Sequence, residues 1–245
     1  AALGTGQISH LSTAAIAALT TAQTKALTTA SINALTSAQV TAIETADLAA
    51  MSTAQLSKLG TAQVAQLTSV QVAALTSGQV KSLNSDQVAA LTSAQLNALT
   101  SSQLPSLSTA QVRALTTDQL SKLTTTQIVG LSTAQVAALS TGQVAALTSV
   151  QINALASDDL KALTTTQVRA LTSDQLSKLS SDQIALMATD DIAALGTGQI
   201  SHLSTAAIAA LTTAQAKALT TASINALTSA QVTAIETADL AAMST

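Results

Sequence analysis

The sequence predicts an all-α solenoid of about thirty very short helices, one per eight residues, with two to four of these octads in each superhelical turn. Three observations carry that prediction. A period of eight runs without a slip, a helix-start signature sits inside each period, and acids are segregated from bases within it.

The period is marked by a row of large aliphatics. Leu3, Leu11, Leu19, Leu27 and Leu35 open it, and it continues through Ile43, Met51 and Leu59 to Leu227, Ile235 and Met243 without insertion or deletion. Counted from that residue as slot 1, the octad reads Leu, Ser/Thr, Ser/Thr, small, Gln, Val/Ile/Leu, any residue, Ala, close to LTTAQVAA. Slot 3 is Ser or Thr in every copy, from Thr5, Thr13, Thr21 and Thr29 through Ser93 and Ser101 to Thr237 and Thr245. Slot 2 is looser and admits Gly4, Glu44, Gly60, Asn84, Ala156 and Ala188. Slot 6 departs from an aliphatic only at Thr24 and Ala216.

An octad cannot lie in one continuous element. Eight residues of α-helix leave a residual rotation of about 80°, so the Leu row would wind around the whole circumference and no apolar stripe would form. The same drift excludes a heptad coiled coil. In a strand, slots 1 and 6 have opposite parity and would face opposite sides. Each octad must therefore contain a turn.

The slots in order say where the turn is. Slot 2 carries a hydroxyl and slot 5, three residues later, carries Gln, as in Leu91–Thr92–Ser93–Ala94–Gln95–Leu96. That is a capping box, with Leu and the slot 6 aliphatic placed as its hydrophobic staple. Slot 3 stands one residue later than the box requires. It is either the true N-cap itself, or its hydroxyl bonds the neighbouring turn or solvent, and the spacing favours an N-cap at one of the pair without deciding which. Slots 6 to 8 complete a helix of five or six residues, closed by the next Leu-Thr-Thr corner. Pro105, in slot 7, falls inside that helix and marks either one distorted octad or a frame displaced by a residue or two.

Charge placement tests the frame independently. The twelve acids all lie early in the octad: Glu44 and Glu236 in slot 2, Asp86, Asp118, Asp158, Asp174, Asp182 and Asp190 in slot 4, Asp47, Asp159, Asp191 and Asp239 in slot 5. The nine bases lie late: Lys25, Lys81, Arg113, Lys161, Arg169 and Lys217 in slot 7, Lys58, Lys122 and Lys178 in slot 8. A short helix dipole favours that order. One such helix cannot offset its own nucleation cost, so octads must stack, and a solenoid with Leu, Val, Ile and Ala inward is the solution.

A longer period lies over the octads. Residues 1–53 recur as 193–245 with one change, Thr24 against Ala216, an offset of 24 octads. The expected organisation is one continuous octad solenoid over 1–245, in which 1–192 is a 24-octad block and 193–245 begins the next. A tandemly amplified protein longer than this chain is expected, because the text begins and ends in mid-pattern. Two, three or four octads per turn all divide 24.

Composition removes several classes of function. There is no Cys, hence no disulfide or thiolate metal site, and its absence fits an extracellular location. Nine Lys+Arg against twelve Asp+Glu give a net charge of -3 and there is no aromatic to stack a base, which excludes nucleic acid as a partner. Apolar runs such as Ala14 to Leu19 fall far short of the roughly 20 residues of a membrane span, so no membrane insertion is expected. The lack of Phe, Tyr and Trp fits a narrow solenoid interior that has no room for a ring in every layer.

Candidate chemistry is sparse, and the sequence reads as a non-enzyme with no catalytic, cofactor-binding or metal-ligating residues. His10 and His202 are one position in two copies of the block, a polar residue near a helix end with no ligand partners at metal spacing. Asp158–Asp159 and Asp190–Asp191 lack the alternation and Gly turn of a calcium loop and read as first-turn acids. Gly4–Thr5–Gly6 and Gly196–Thr197–Gly198 have no following Lys and read as corner glycines. The slot 5 Gln has a sufficient role as a capping residue, and stacked in register it could also form a hydrogen-bonded row along the solenoid.

In its Ala, Thr, Leu and Val content and its poverty of aromatics, the octad array resembles the repetitive regions of giant bacterial cell-surface and adhesin-like proteins. The resemblance implies a secreted or cell-surface location and an adhesive or filament role. The expected function is structural: an extracellular fibre, filament or stalk built by repeat stacking, with self-association as a homopolymer or bundle. The alternative is a binding surface or adhesin spacer whose Ser/Thr rows meet a repetitive ligand such as ice or polysaccharide, or carry O-linked glycans. No Asn-x-Ser/Thr acceptor is present. An enzyme ranks a distant third.

Overall fold

A computed structural model describes residues 4–243. Leu3 and Thr245, which belong to the slot 1 and slot 3 rows, lie outside the described residues. Among those described the fold is all-α, with 29 helices of four to seven residues, one short 3-10 turn and no strand. By contact the chain falls into two compact units, Ala1–Leu123 and Thr124–Thr245. Within the first, helices run from Thr5–Ile8 to Thr117–Ser121, and within the second from Thr125–Val129 to Thr237–Met243.

Each octad is one helix and one corner. In the octad of Leu67, the helix Ser69–Ala74 occupies slots 3 to 8, and Leu75 leaves it at φ -61°, ψ 144°. The next residue, Thr76, is the N-cap of Ser77–Ser82 at φ -73°, ψ 156°. Two extended residues thus turn the chain, and no described residue needs a positive φ. Gly4 and Gly196 do sit at corners, at φ -72° and -73°, where any residue fits, whereas Gly6 and Gly198 lie inside the first helical turn.

The paired hydroxyls now separate. The first of the pair, slot 2, is the N-cap, and slot 3 is the first helical residue: the hydroxyl of Thr68 accepts Gln71 N–H at 3.1 Å. Pro105 marks one distorted octad and leaves the frame intact. Its ring and missing N–H convert that helix to the 3-10 turn Leu104–Ser106, while Leu104 stays buried.

Helices stack on the helix three octads further along. Thr21–Ala26 packs on Thr45–Ala50 in the first unit, and Ser149–Ala154 on Ser173–Lys178 in the second. The slot 5 side chain, however, reaches back four octads, so one turn of each unit holds between three and four. Slots 1 and 6 form the core: Val80, Leu83, Val88 and Leu91 are buried, as are Val168, Leu171, Leu176 and Leu179. The charges follow the dipole order expected of them. Lys122 meets Asp118 at 2.9 Å and Lys161 approaches Asp158 at 3.9 Å, both pairs exposed and worth little.

Candidate functional site

The chemistry of this fold is concentrated between its turns, on the slot 5 glutamines. Gln71 is buried, and its position as third residue of a helix aims its amide at two chain ends at once. Its Oε1 accepts Thr68 N–H at 2.8 Å, closing the capping box. Its Nε2 donates to the carbonyls of Val40, Thr41 and Ile43 at 3.1, 3.1 and 2.8 Å, closing the C-terminal end of a helix four octads earlier. The helix start and the helix end are the places where short helices leave most backbone groups unpaired. One side chain satisfies both.

The same latch recurs through each unit. Gln39 donates to Ile8 and Leu11 at 2.8 Å each, Gln79 to Leu48 and Met51 at 3.0 and 2.8 Å, and Gln215 to Ile184 and Met187 at 2.9 and 2.8 Å. The glutamines thus form a row along the solenoid, but bonded to the main chain of the preceding turn instead of to one another. Among the described residues no buried side-chain nitrogen or oxygen lacks a partner.

Four octads carry Asp in place of Gln, and all four also lack the slot 2 hydroxyl, with Glu44, Ala156, Ala188 and Glu236 there. A carboxylate has no donor to offer a carbonyl, and the octad abandons both halves of the box. In three of the four the Asp turns to the slot 3 hydroxyl three octads earlier instead: Thr21 donates to Asp47 at 2.6 Å, Thr133 to Asp159 at 3.0 Å and Thr165 to Asp191 at 3.0 Å. Thr24, the polar exception in slot 6, is buried beside Asp47 at 3.4 Å. Burial, with Asp190 adding to it, pushes the Asp191 carboxyl above its usual range, against the opposing bond from Thr165.

The remaining candidates scatter. His10 and His202 are exposed at helix ends. In Asp158–Asp159 and Asp190–Asp191 the first acid of each pair is exposed and the second buried, so the two carboxylates do not converge. Among the described residues no three of His, Cys, Asp or Glu gather as a metal site, and no helix is long and apolar enough to cross a membrane. Slot 2 hydroxyls such as those of Thr68, Thr76 and Thr92 are spent on caps, while that of Thr100, in the Pro105 octad, pairs with the Ser102 hydroxyl. Of the slot 3 hydroxyls, Ser77 and Ser181 donate to the carbonyls of Ser102 and Ala206 in the next turn, whereas Thr13, Thr53 and Thr61 are exposed.

This octad, with its capping hydroxyl and latching Gln, is the unit that comparison with protein families finds. Matches to the ALTTAQ repeat cover residues 1–37, 40–77, 73–101, 93–125, 100–133, 120–149, 152–189 and 184–221. The chain belongs to the ALTTAQ repeat family. The six letters stand unaltered at Ala18–Gln23 and Ala210–Gln215, and they span slot 8 through slot 5, from one helix end to the latch of the next. Comparison of this ALTTAQ repeat protein with curated proteins found no match.

Sequence reasoning reached the capping box and missed the second half of the glutamine's work. The joint loss of hydroxyl and Gln in the four Asp octads was the available signal that slots 2 and 5 act together. No signal in the letters pointed to the carbonyls, because every residue carries one.

Proposed function

We propose that this ALTTAQ repeat chain is a structural protein, a segment of an extracellular or cell-surface fibre, filament or stalk of the adhesin-like kind. The observation that carries the reading is the latch. It joins a Gln side chain to main-chain carbonyls and reads no side chain of its partner, so any octad stacks on any other and length grows by adding copies. The near-identity of 1–53 and 193–245, offset by 192 residues, supports that mode of growth. Electron microscopy of the purified material and surface labelling of the source cells test the reading. Uniform elongated particles and label on intact cells are expected; compact particles, or label only after lysis, would overturn it.

A second reading, a Ser/Thr surface for ice or polysaccharide, is favoured only by the exposed slot 3 residues such as Thr13, Thr53 and Thr61. That row is interrupted where Thr21, Ser77, Thr133, Thr165 and Ser181 turn to the next octads. Thermal hysteresis, or retention on a polysaccharide matrix that is lost when the exposed threonines become Ala, would establish it. Neither result would leave the structural reading alone.

A further inference from the structure

The latch is not spread evenly along the block. Slot 5 is Gln without a break from Gln55 to Gln151, thirteen octads, and is then interrupted at Asp159, Asp191, Ala207, Ser223 and Asp239 within the next eleven. Ala15, Ser31 and Asp47 repeat the last three of these in the other copy. A block of 24 octads therefore holds one unbroken run and one interrupted run.

Seven octads of each run, 51–106 and 155–210, make a like comparison. In the first, every slot 5 side chain from Gln55 to Gln103 donates to a carbonyl 28 residues earlier. In the second, Gln167, Gln175, Gln183 and Gln199 do so, and Asp159, Asp191 and Ala207 do not. The carbonyls 28 residues before those three belong to the buried Leu131, Leu163 and Leu179, and they receive no protein donor among the described residues. The helices of Asp159 and Asp191 also lack a side-chain cap, with Ala156 and Ala188 at slot 2. Their bonds from Thr133 and Thr165 join side chain to side chain and leave the main-chain ends open. The apolar packing is unaltered, for Leu160, Ile192 and Ile208 are as buried as Val72 and Val88. The two runs share one fold and differ in the bonds between turns.

Local stability in stacked repeats is a sum of local terms, so the run with fewer of them opens first. We propose that the interrupted run is the yielding segment of each block, whose turns part and re-form under tension while the latched run holds. One soft segment per 192 residues lets a fibre take up a pull before its latched turns are strained. The inference rests on the structural reading only for that setting.

The test compares the 245-residue chain with a refilled variant. Ala207→Gln makes residues 203–207 read LSTAQ, as 131–135 do; Ala156→Thr with Asp159→Gln makes 155–159 read LTSDQ, as 171–175 do; Ala188→Thr with Asp191→Gln completes the set. Circular dichroism confirms that helix content is kept. In the parent, the slowest amides of Ser157–Lys161, Thr189–Ala194 and Thr205–Ala209 are expected to exchange with solvent about tenfold faster than those of Ser69–Ala74 and Ser85–Ala90, the effect of one missing hydrogen bond. Refilling is expected to close most of that gap, and Gln87→Ala, the converse change, to speed Ser85–Ala90 by a similar factor. Held by its two ends in optical tweezers, the parent is expected to lengthen at two distinct forces, and the refilled variant to lose the lower one.

Equal exchange in the two runs of the parent would overturn the proposal, as would a gap or a lower-force step that survives refilling. These outcomes separate from the functional reading. A soft segment in a chain labelled only inside cells would sink the extracellular role and keep the yielding segment, and uniform exchange in a surface-labelled chain would do the reverse.

Discussion

Gln71 Nε2 lies 2.8 Å from the carbonyl oxygen of Ile43, 28 residues earlier in the chain. A helix of six residues has almost no interior, so most of its backbone polar groups belong to one end or the other. Supplying a donor to one end and an acceptor to the next is therefore the main polar problem this fold has to solve, and a primary amide does both with two separate atoms at the tip of one side chain.

Replacing Gln71 by Leu removes the amide at nearly the same volume and leaves Thr68 N–H and the Ile43 carbonyl without their partner. The expected cost is about 2 to 4 kcal/mol, one buried unsatisfied group at each end. Gln71→Glu keeps the acceptor for Thr68 but sets a carboxylate against three carbonyls, and is expected to cost more than Leu at neutral pH. Because stacked repeats do not unfold as one two-state unit, the readout is local hydrogen exchange. Faster exchange is expected both around Thr68 and around residues 40–44. Acceleration confined to the Thr68 helix would mean that the latch contributes nothing across the turn.

The two neighbouring hydroxyls make a controlled pair. Thr68→Ala removes the N-cap acceptor of Gln71 N–H and is expected to cost about 0.5 to 2 kcal/mol. Ser69→Ala, one residue on and at the first helical position, is expected to fall within about 0.5 kcal/mol of the parent. Thr68→Asn is expected to be close to neutral, since Asn84 already caps its helix at 2.8 Å. Local hydrogen exchange around residues 69–74 in the three variants checks the order, and a larger loss from Ser69→Ala would reverse the assignment of the cap.

The contrast shows what the sequence could disclose. The octad, its capping box and the charge order are local, fixed by residues within one helix of each other, and Leu91 to Leu96 is enough to state the box. Which hydroxyl caps was harder, because Thr68 and Ser69 are alike in chemistry and differ only in φ and ψ. The number of octads per turn depends on pairs such as Gln71 and Ile43. The partner there is backbone, identical at every position, and leaves no trace in the letters. The burial of Asp191 was missed for a related reason: its partner Thr165 stands in the slot that is always a hydroxyl, so the pairing adds no variation to read.

Acidity is expected to act through Asp191. Its carboxyl is pushed above its ordinary range in the folded chain, by burial first. An acid whose pKa is raised on folding binds its proton more tightly in the native state, so its contribution is full below the unfolded pKa and is lost as pH rises through the folded one. Asp191→Asn keeps an oxygen for the Thr165 hydroxyl and carries no charge. At neutral pH the variant is expected to melt higher than the parent, and the gap should close as pH falls through the carboxylate range. Asp182→Asn, at an exposed site, serves as the control. Thermal melts across that range decide it, and a gap that widens in acid would show that the carboxylate is the favoured form.

Deletions separate a period of eight from a mere preference for helix. Removing residues 59–66 takes out one whole octad, and Lys58 then leads into Leu67 as one octad leads into the next anywhere else. The helices around the cut keep a neighbour three octads away, and their slot 5 glutamines a latch partner four octads away, because neither contact reads the identity of the octad it meets. Removing Ala65 alone takes out far less mass but shortens one edge, rotating Leu67 by about 100° away from the core and carrying Gln71 off its carbonyls. The octad deletion is expected to shift the thermal midpoint by no more than about 4 °C, roughly 1 to 2 kcal/mol at this size. The single deletion is expected to lower helix content and accelerate exchange around residues 40–44 and 67–75. If the shorter deletion proves the milder one, stacking does not depend on phase and the octad is not the unit of the fold.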